Sequence, residues 1–438
     1  MTRGWFLVTL VVPVAALFTL PVGSADAALV WLIAIAMTAA VLVRLAAGPA
    51  ADPFAAIAGA PRMLAAAEVP EPIAGAMDVR IALQQGIRRE FRGPLKVPPA
   101  GLVAELSRRL GGTAKLEEDR ELGARISLAC LPRSRGRRGL RRATAALTSL
   151  ALFAAAFLST AALGALGRGG DPLAHHRDLL LGLPYALVMM LVFLAHALGR
   201  SLALARHGEP VSPPFFIPLP MLPGTAGAVV RSQPRSRAAL FDGAFGGLVA
   251  ALAIGLPLLY LGLRSSPVVV APDAGVSGTP VGSSILLAGM ARLAIGSGLA
   301  YGDRVLLTPA AAAAWLAMLV LALRLVPFGA LDGGAMLRAL LGSRAGRAAG
   351  RAIAAILLVL AVLGRASLVP WLVVALLCAR GPAAPSDDVT PVGAARGLAA
   401  FLAFALLGLI VIPLPDALHQ PAGIHVRLEP ASMRTMGL

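Results

Sequence analysis

Long apolar runs separated by short, arginine-bearing polar stretches dominate the chain. The runs fall at about 5–22, 28–47, 144–165, 179–205, 240–263, 309–328, 352–378 and 396–414. Most approach or exceed the ~20 residues that a helix needs to cross a hydrocarbon core. The pattern therefore predicts an α-helical polytopic membrane protein with about eight transmembrane helices. The first two runs are joined by "GSADA" and are expected to form an N-terminal transmembrane hairpin, 1–47, although Arg3 and Ala25-Asp26-Ala27 also fit a cleavable signal peptide. The 352–378 run is interrupted by "GRAS" and Pro370, which leaves one kinked helix or a re-entrant pair.

A different periodicity occupies residues 75–132. In "PPAGLVAELSRRLGG", Leu102, Leu106 and Leu110 recur at helical spacing between prolines and Gly111-Gly112. In "ARISLACLP", Ile126, Leu128 and Cys130 alternate as in a half-buried strand. The pair predicts a small α+β module within a basic segment, 48–143. About 60 residues build only a marginal core, so the module is expected to lean on the membrane core, 144–415, or on a partner. Residues 416–438 form a C-terminal tail.

Composition strengthens the membrane reading. Hydrophobic residues make up 58% and charged residues 14%, against about 25% charged in soluble domains, and mean hydropathy is +0.80. The formal charge of +17 comes almost wholly from arginines beside apolar runs. That distribution fits membrane topology and anionic lipid, and it argues against nucleic acid, which needs a soluble basic surface. "RSRGRRGLRR" ends the segment 48–143, so the positive-inside rule places that segment in the cytoplasm, with loops 166–178 and 264–308 outside. A bacterial-type plasma membrane is the expected location. Cys130 and Cys378 are the only cysteines, which excludes a disulfide framework and a cysteine zinc site.

Four stretches carry candidate chemistry. "LAHALGRSLALARHG" (194–208) ends an apolar run and places Arg200 four residues after His196, on one helix face. "PPFFIPLP…GTAGAVVR" is too proline-rich for a helix. Irregular backbone at membrane depth is tolerated where it lines a cavity or is buried in protein, and its second half suits an extended edge that pairs with an unfolded segment. "RAALFDGAFGGLVAALAIG" carries Gly243, Gly247, Ala251 and Gly255 every four residues, a stripe that lets helices approach closely. "RLVPFGALDGG" sets Asp332 in a glycine-rich turn after a run, and an acidic residue at membrane depth points to function.

These stretches, in this order, resemble the site-2 protease family of intramembrane zinc metalloproteases, above all its chloroplast and cyanobacterial branch. The resemblance covers about residues 75 to 415. It implies a site-2-protease-like core of transmembrane helices with a metal near the cytosolic side, held by the two histidines of H-E-x-x-H and a later aspartate. Carried over residue by residue, the metal ligands fall on His196, Arg200 and Asp332, and the general base on Ala197. The family's L-D-G-G-H histidine falls on Ala335 and its asparagine on Arg324. Phe215, Phe216, Gly224, Thr225 and Gly227 occupy the substrate loop.

The chemistry carries over poorly. Arginine has no lone pair for a metal, alanine takes no proton, and His207, His175 and His176 lie too far along the chain to substitute. An unpaired arginine or aspartate in a bilayer is costly, so Arg200, and with it Arg324, is expected to pair with Asp332 beside His196. The expectation is a non-catalytic pseudoprotease without zinc that binds or regulates transmembrane partners. The alternatives are an active zinc metalloprotease with an unusual ligand set, or a transporter or channel, for which the internal repeat common in transporters is not found.

Overall fold

The computed structural model of the chain describes residues 62–85, 88–110, 113–119, 121–129, 138–172, 174–218, 225–230, 234–269, 284–296, 304–362 and 384–411. The expected hairpin 1–47, the tail 416–438, Gly224, Cys130 and Cys378 lie outside these residues.

The alternating stretch becomes part of a five-stranded antiparallel sheet built from β1 (Arg62–Met63), β2 (Ile81–Gln85), β3 (Arg88–Gly93), β4 (Thr113–Asp119) and β5 (Gly123–Ala129), in the order β1-β2-β3-β5-β4. Helices α1 (Glu71–Ala76) and α2 (Leu102–Arg109) supply Ile73, Leu102, Val103 and Leu106 to a core shared with Phe91, Leu116, Ile126 and Leu128. Leu110 is the C-cap of α2 and is only half-buried.

Strand β4 would be an exposed sheet edge, which proteins commonly cover. Here the stretch 384–390 lies along it. Leu116 N donates to Ser386 O (2.6 Å), and Asp388 N donates to Leu116 O (3.1 Å). Asp387 N in turn donates to Arg235 O (2.7 Å), fastening the module to the residue just before the N-cap of a long helix.

The rest of the described chain is mostly helical: α3 (Arg138–Leu166), α4 (Leu183–Arg206), α5 (Arg237–Arg264), α6 (Ile285–Ile295), α7 (Pro309–Leu325), α8 (Asp332–Leu341), α9 (Ser343–Val362) and α10 (Ala394–Val411). Among the described residues, four stretches are long and apolar enough to cross a membrane: Ala143–Leu166, His176–Arg206, Arg237–Arg264 and Ala394–Val411.

Three expectations change. The run at 309–328 gives a helix of only 17 residues, because Pro327 cannot continue it. The stretch 264–308, expected as a loop, holds the apolar helix α6, capped by Ser284, whose side chain accepts from Leu287 N (3.2 Å). The run expected from residue 352 starts at Ser343, because the basic segment before it is alanine-rich and helix-forming.

The small-residue stripe sets how close α4 and α5 come. Gly243 meets Leu204, Gly247 meets His196, and Gly255 meets Val192 and Met318. The tightest approach of α4 and α5 to each other involves a glycine outside that stripe. A Cβ on Gly199 would stand 2.4 Å from Gly246 O. Between α4 and α5, the proline-rich stretch forms a hairpin of β6 (Phe215–Pro218) and β7 (Thr225–Val229), paired antiparallel.

Candidate functional site

His196 and Arg200 sit one turn apart on α4, so their side chains leave the same face. They meet Asp332, the first residue of α8, where a carboxylate also suits the positive end of the helix. The turn that delivers Asp332 is sterically tight. A Cβ on Gly333 would stand 1.9 Å from Leu325 O, and one on Gly334 2.5 Å from Phe328 O. Gly329, at φ 57°, takes the left-handed backbone that starts this reversal. Only glycines let α8 fold back onto the end of α7, and that fold-back carries Arg324 to Asp332.

Four side chains thus converge. His196 Nε2 lies 3.0 Å from Asp332 Oδ2. Arg200 Nη1 donates to Asp332 Oδ1 at 2.5 Å. Arg324 Nε approaches Oδ2 at 3.5 Å. Asp332 is 5% exposed and His196 2%. Each carboxylate oxygen therefore already faces a cation or an imidazole. Ala197, on the same turn of α4, is fully buried and offers a methyl group.

Arg324 has a second role. Nη1 and Nη2 both donate to Ala228 O, at 3.0 and 2.8 Å. One guanidinium therefore ties the carboxylate to the hairpin. Gly227 makes room for it, since at φ 89° it presents no Cβ where Arg324 Nη1 and the Phe193 ring stand. Thr225 Oγ1 braces the strand, donating to Ile217 O (3.0 Å) and accepting from Gly227 N (3.1 Å). Phe215 and Phe216, assigned by the resemblance to the substrate loop, are buried. Phe216 meets Phe153 of α3 edge-on at 5.0 Å. They are anchors of the hairpin, because two phenylalanines beside an apolar helix gain more by burial than by lining a wet groove.

A second polar junction escaped the sequence reading. Asp242 of α5 accepts from Arg396 Nε and Nη2 of α10 (2.8 and 2.7 Å) and meets His207 Nε2 at the end of α4 (2.7 Å). The signal was an aspartate inside "LFDGAF" near the start of a run, which on its own cannot name its partners.

Do these residues fit zinc? A catalytic zinc takes three protein ligands and leaves a position for water. Only one imidazole and one carboxylate are present, and both carboxylate oxygens are engaged. Among the described residues no group of three or more His, Cys, Asp or Glu side chains could hold a metal ion. A divalent ion 4 Å from Arg200 would be repelled by roughly 8 kcal/mol at an effective dielectric of about 20, before Arg324 adds its share. The donor set does not fit the metal.

Comparison with known proteins gives a consistent relationship. The chain is 31% identical over 247 residues to the probable zinc metalloprotease EGY1, chloroplastic, of Oryza sativa subsp. japonica, covering 55% of this chain and 42% of that protein. It is 34% identical over 216 residues to the probable zinc metalloprotease EGY2, chloroplastic, of Arabidopsis thaliana, covering 48% and 38%. The match thus spans less than half the length of these curated relatives. No family model matches the chain, and no solved structure matches it.

Proposed function

We propose that this chain, homologous over about half its length to chloroplast-type members of the site-2 protease family, is a non-catalytic relative that holds transmembrane segments of other proteins. One observation carries the reading. The Arg200 guanidinium lies on Asp332, at the position the resemblance gives to a histidine ligand. Peptide hydrolysis by a metalloprotease needs a metal-bound water and a base to activate it. Here Ala197 holds the base position, and a salt bridge stands in for metal coordination.

The bridge keeps the mechanical role of the metal. It joins α4 to α8, and through Arg324 it fixes the hairpin. A partner segment would be held by the helices and by that hairpin without being cut. The protein is embedded in a bilayer, with residues 48–143 on the cytoplasmic side. The bacterial-type plasma membrane expected from the sequence finds no support in the relatives, whose names are chloroplastic.

The relatives' names favour one rival, an active zinc enzyme with an unusual ligand set. One experiment separates the two. Full-length protein is purified, its zinc content measured, and a transmembrane peptide carrying a photocrosslinker added. The expected result is far less than one zinc per chain, crosslinking, and no cleavage. One zinc per chain together with cleavage overturns the proposal, and so does the absence of crosslinking above a scrambled polar peptide.

A further inference from the structure

Helix α9 opens with "SRAGRAAGRA", and its cations stand where helix electrostatics disfavour them. The N-terminal turns of a helix carry partial positive charge and favour acidic residues. Here Arg344, Arg347 and Arg351 occupy the first three turns, and the helix Ser343–Val362 holds no acidic residue. The offsets of three and four residues align them in one stripe. All three are exposed, and among the described residues none forms a salt bridge or side-chain hydrogen bond. A fourth cation lies close behind. Burial, and then the nearby Arg347 guanidinium, pull Arg338 of α8 down from its ordinary pKa.

Packing fixes which way the stripe faces. Gly346 lies against the Arg338 backbone and Gly350 against Pro327 O and Phe328. Ser343 is buried, its N and Oγ bonded to Asp388, which caps the helix. These residues define the buried side of α9, and the arginines project away from it. Further along, the exposed residues become apolar: Ile356, Leu358 and Val359 are 58%, 48% and 55% exposed. Leu358 continues the arginine stripe two helical turns beyond Arg351. Asp388 belongs to the segment that pairs with the sheet module, so the arginines lie at the module end of the helix and the apolar residues farther from it. Cations at one end of a face and bare apolar side chains at the other match a bilayer surface.

We infer that Arg344, Arg347 and Arg351 form a binding surface for the phosphate headgroups of anionic phospholipids in the leaflet facing the sheet module. The surface offsets a charge arrangement that the helix alone disfavours, and it orients α9 and the adjoining α8 against the membrane. The inference is independent of whether the protein cuts peptides. Each cationic side chain near an anionic surface is worth about 1 kcal/mol, about a fivefold preference.

The test uses the full chain in nanodiscs of phosphatidylglycerol and phosphatidylcholine at 1:4, with native mass spectrometry counting retained lipids. The wild type is expected to retain phosphatidylglycerol preferentially. The triple variant R344Q/R347Q/R351Q is expected to lose that preference by at least about tenfold, whereas R344K/R347K/R351K keeps most of it. Equal retention by wild type and the glutamine variant overturns the inference. Displacement of phosphatidylglycerol by 20 mM inorganic phosphate overturns it too, since the surface would then serve a soluble anion. Thermal melting of both variants controls for folding, and loss of preference in the lysine variant despite native melting also counts against it.

Discussion

The salt bridge at the centre of the molecule makes a quantitative demand on stability. Arg200 and Asp332 are in contact at 2.5 Å, with side chains 17% and 7% exposed. Removing one member of a buried pair leaves the other desolvated and costs about 3–5 kcal/mol, while replacing both by apolar groups is often close to neutral. Arg200→Ala leaves Asp332 with His196 and with Arg324 at 3.5 Å, so about 3 kcal/mol is expected. Asp332→Ala leaves two guanidiniums near each other and costs at least as much. Additivity would then give about 6 kcal/mol or more for Arg200→Ala with Asp332→Ala. Coupling of contacting residues reduces that sum by up to about 3 kcal/mol, so the double variant should be destabilised by about as much as one single variant, well short of the additive sum. Equilibrium unfolding in mixed micelles, with tryptophan fluorescence as the signal, measures all four corners of the cycle. A double variant equal to the sum of the singles, within about 0.5 kcal/mol, would refute the pairing as the replacement for a metal cluster.

Other perturbations test the remaining links. Ala197→Glu with Arg200→His restores a histidine pair one turn apart and a base, and this variant is expected to bind zinc at up to one per chain, read by elemental analysis against the wild type. Arg324→Ala removes two hydrogen bonds to Ala228 O and should raise amide exchange in the strands 215–218 and 225–229 by about tenfold or more, at about 1 kcal/mol per bond; unchanged exchange would mean the hairpin is held by its phenylalanines alone. Gly199→Ala drives a Cβ to 2.4 Å from the rigid Gly246 O, whereas Gly255→Ala meets at 2.2 Å the mobile end of Met318, so thermal melting should fall far more for the first than for the second. The Asp119 carboxylate lies below its ordinary pKa because the amides of Glu121 and Leu122 and the Arg125 guanidinium bond its charged form. A depressed folded pKa adds stability above the unfolded value of about 3.9 and loses it as pH falls further, so protection of 113–129 in the full chain should drop on acidification below about pH 4, and Asp119→Asn should remove that dependence.

Hydropathy alone marked most of the helices of the membrane body, because a ~20-residue apolar run has few other uses. It could not foresee α6, a short apolar helix within what read as a loop. Nor could it foresee that α9 starts nine residues before the apolar run, where alanines carry the helix through arginines. The sheet module was legible from Ile126 and Leu128 on one side and Leu102 and Leu106 on the other, since periods of 2.0 and 3.6 are local properties. The order of its strands and the stretch 384–390 along β4 were not, because pairing across ~270 residues leaves no mark on either segment alone.

The same division holds at the site. The sequence by itself determined that a permanently charged arginine stands one turn after a histidine, with an alanine beside it, at the positions the resemblance gives to a second histidine and a glutamate, and that an aspartate opens a glycine-rich turn. It determined which residue types are available, and with them the limits on chemistry. The pairing of Arg200 and Arg324 with Asp332 beside His196 was already expected from the resemblance, but only the tertiary structure decided its geometry, that Arg324 also grips the hairpin, and that Phe215 and Phe216 are buried anchors. Those facts depend on how closely α4, α5, α7 and α8 approach. The approach is set by glycines whose missing Cβ atoms matter only once a neighbour's backbone is there to meet them.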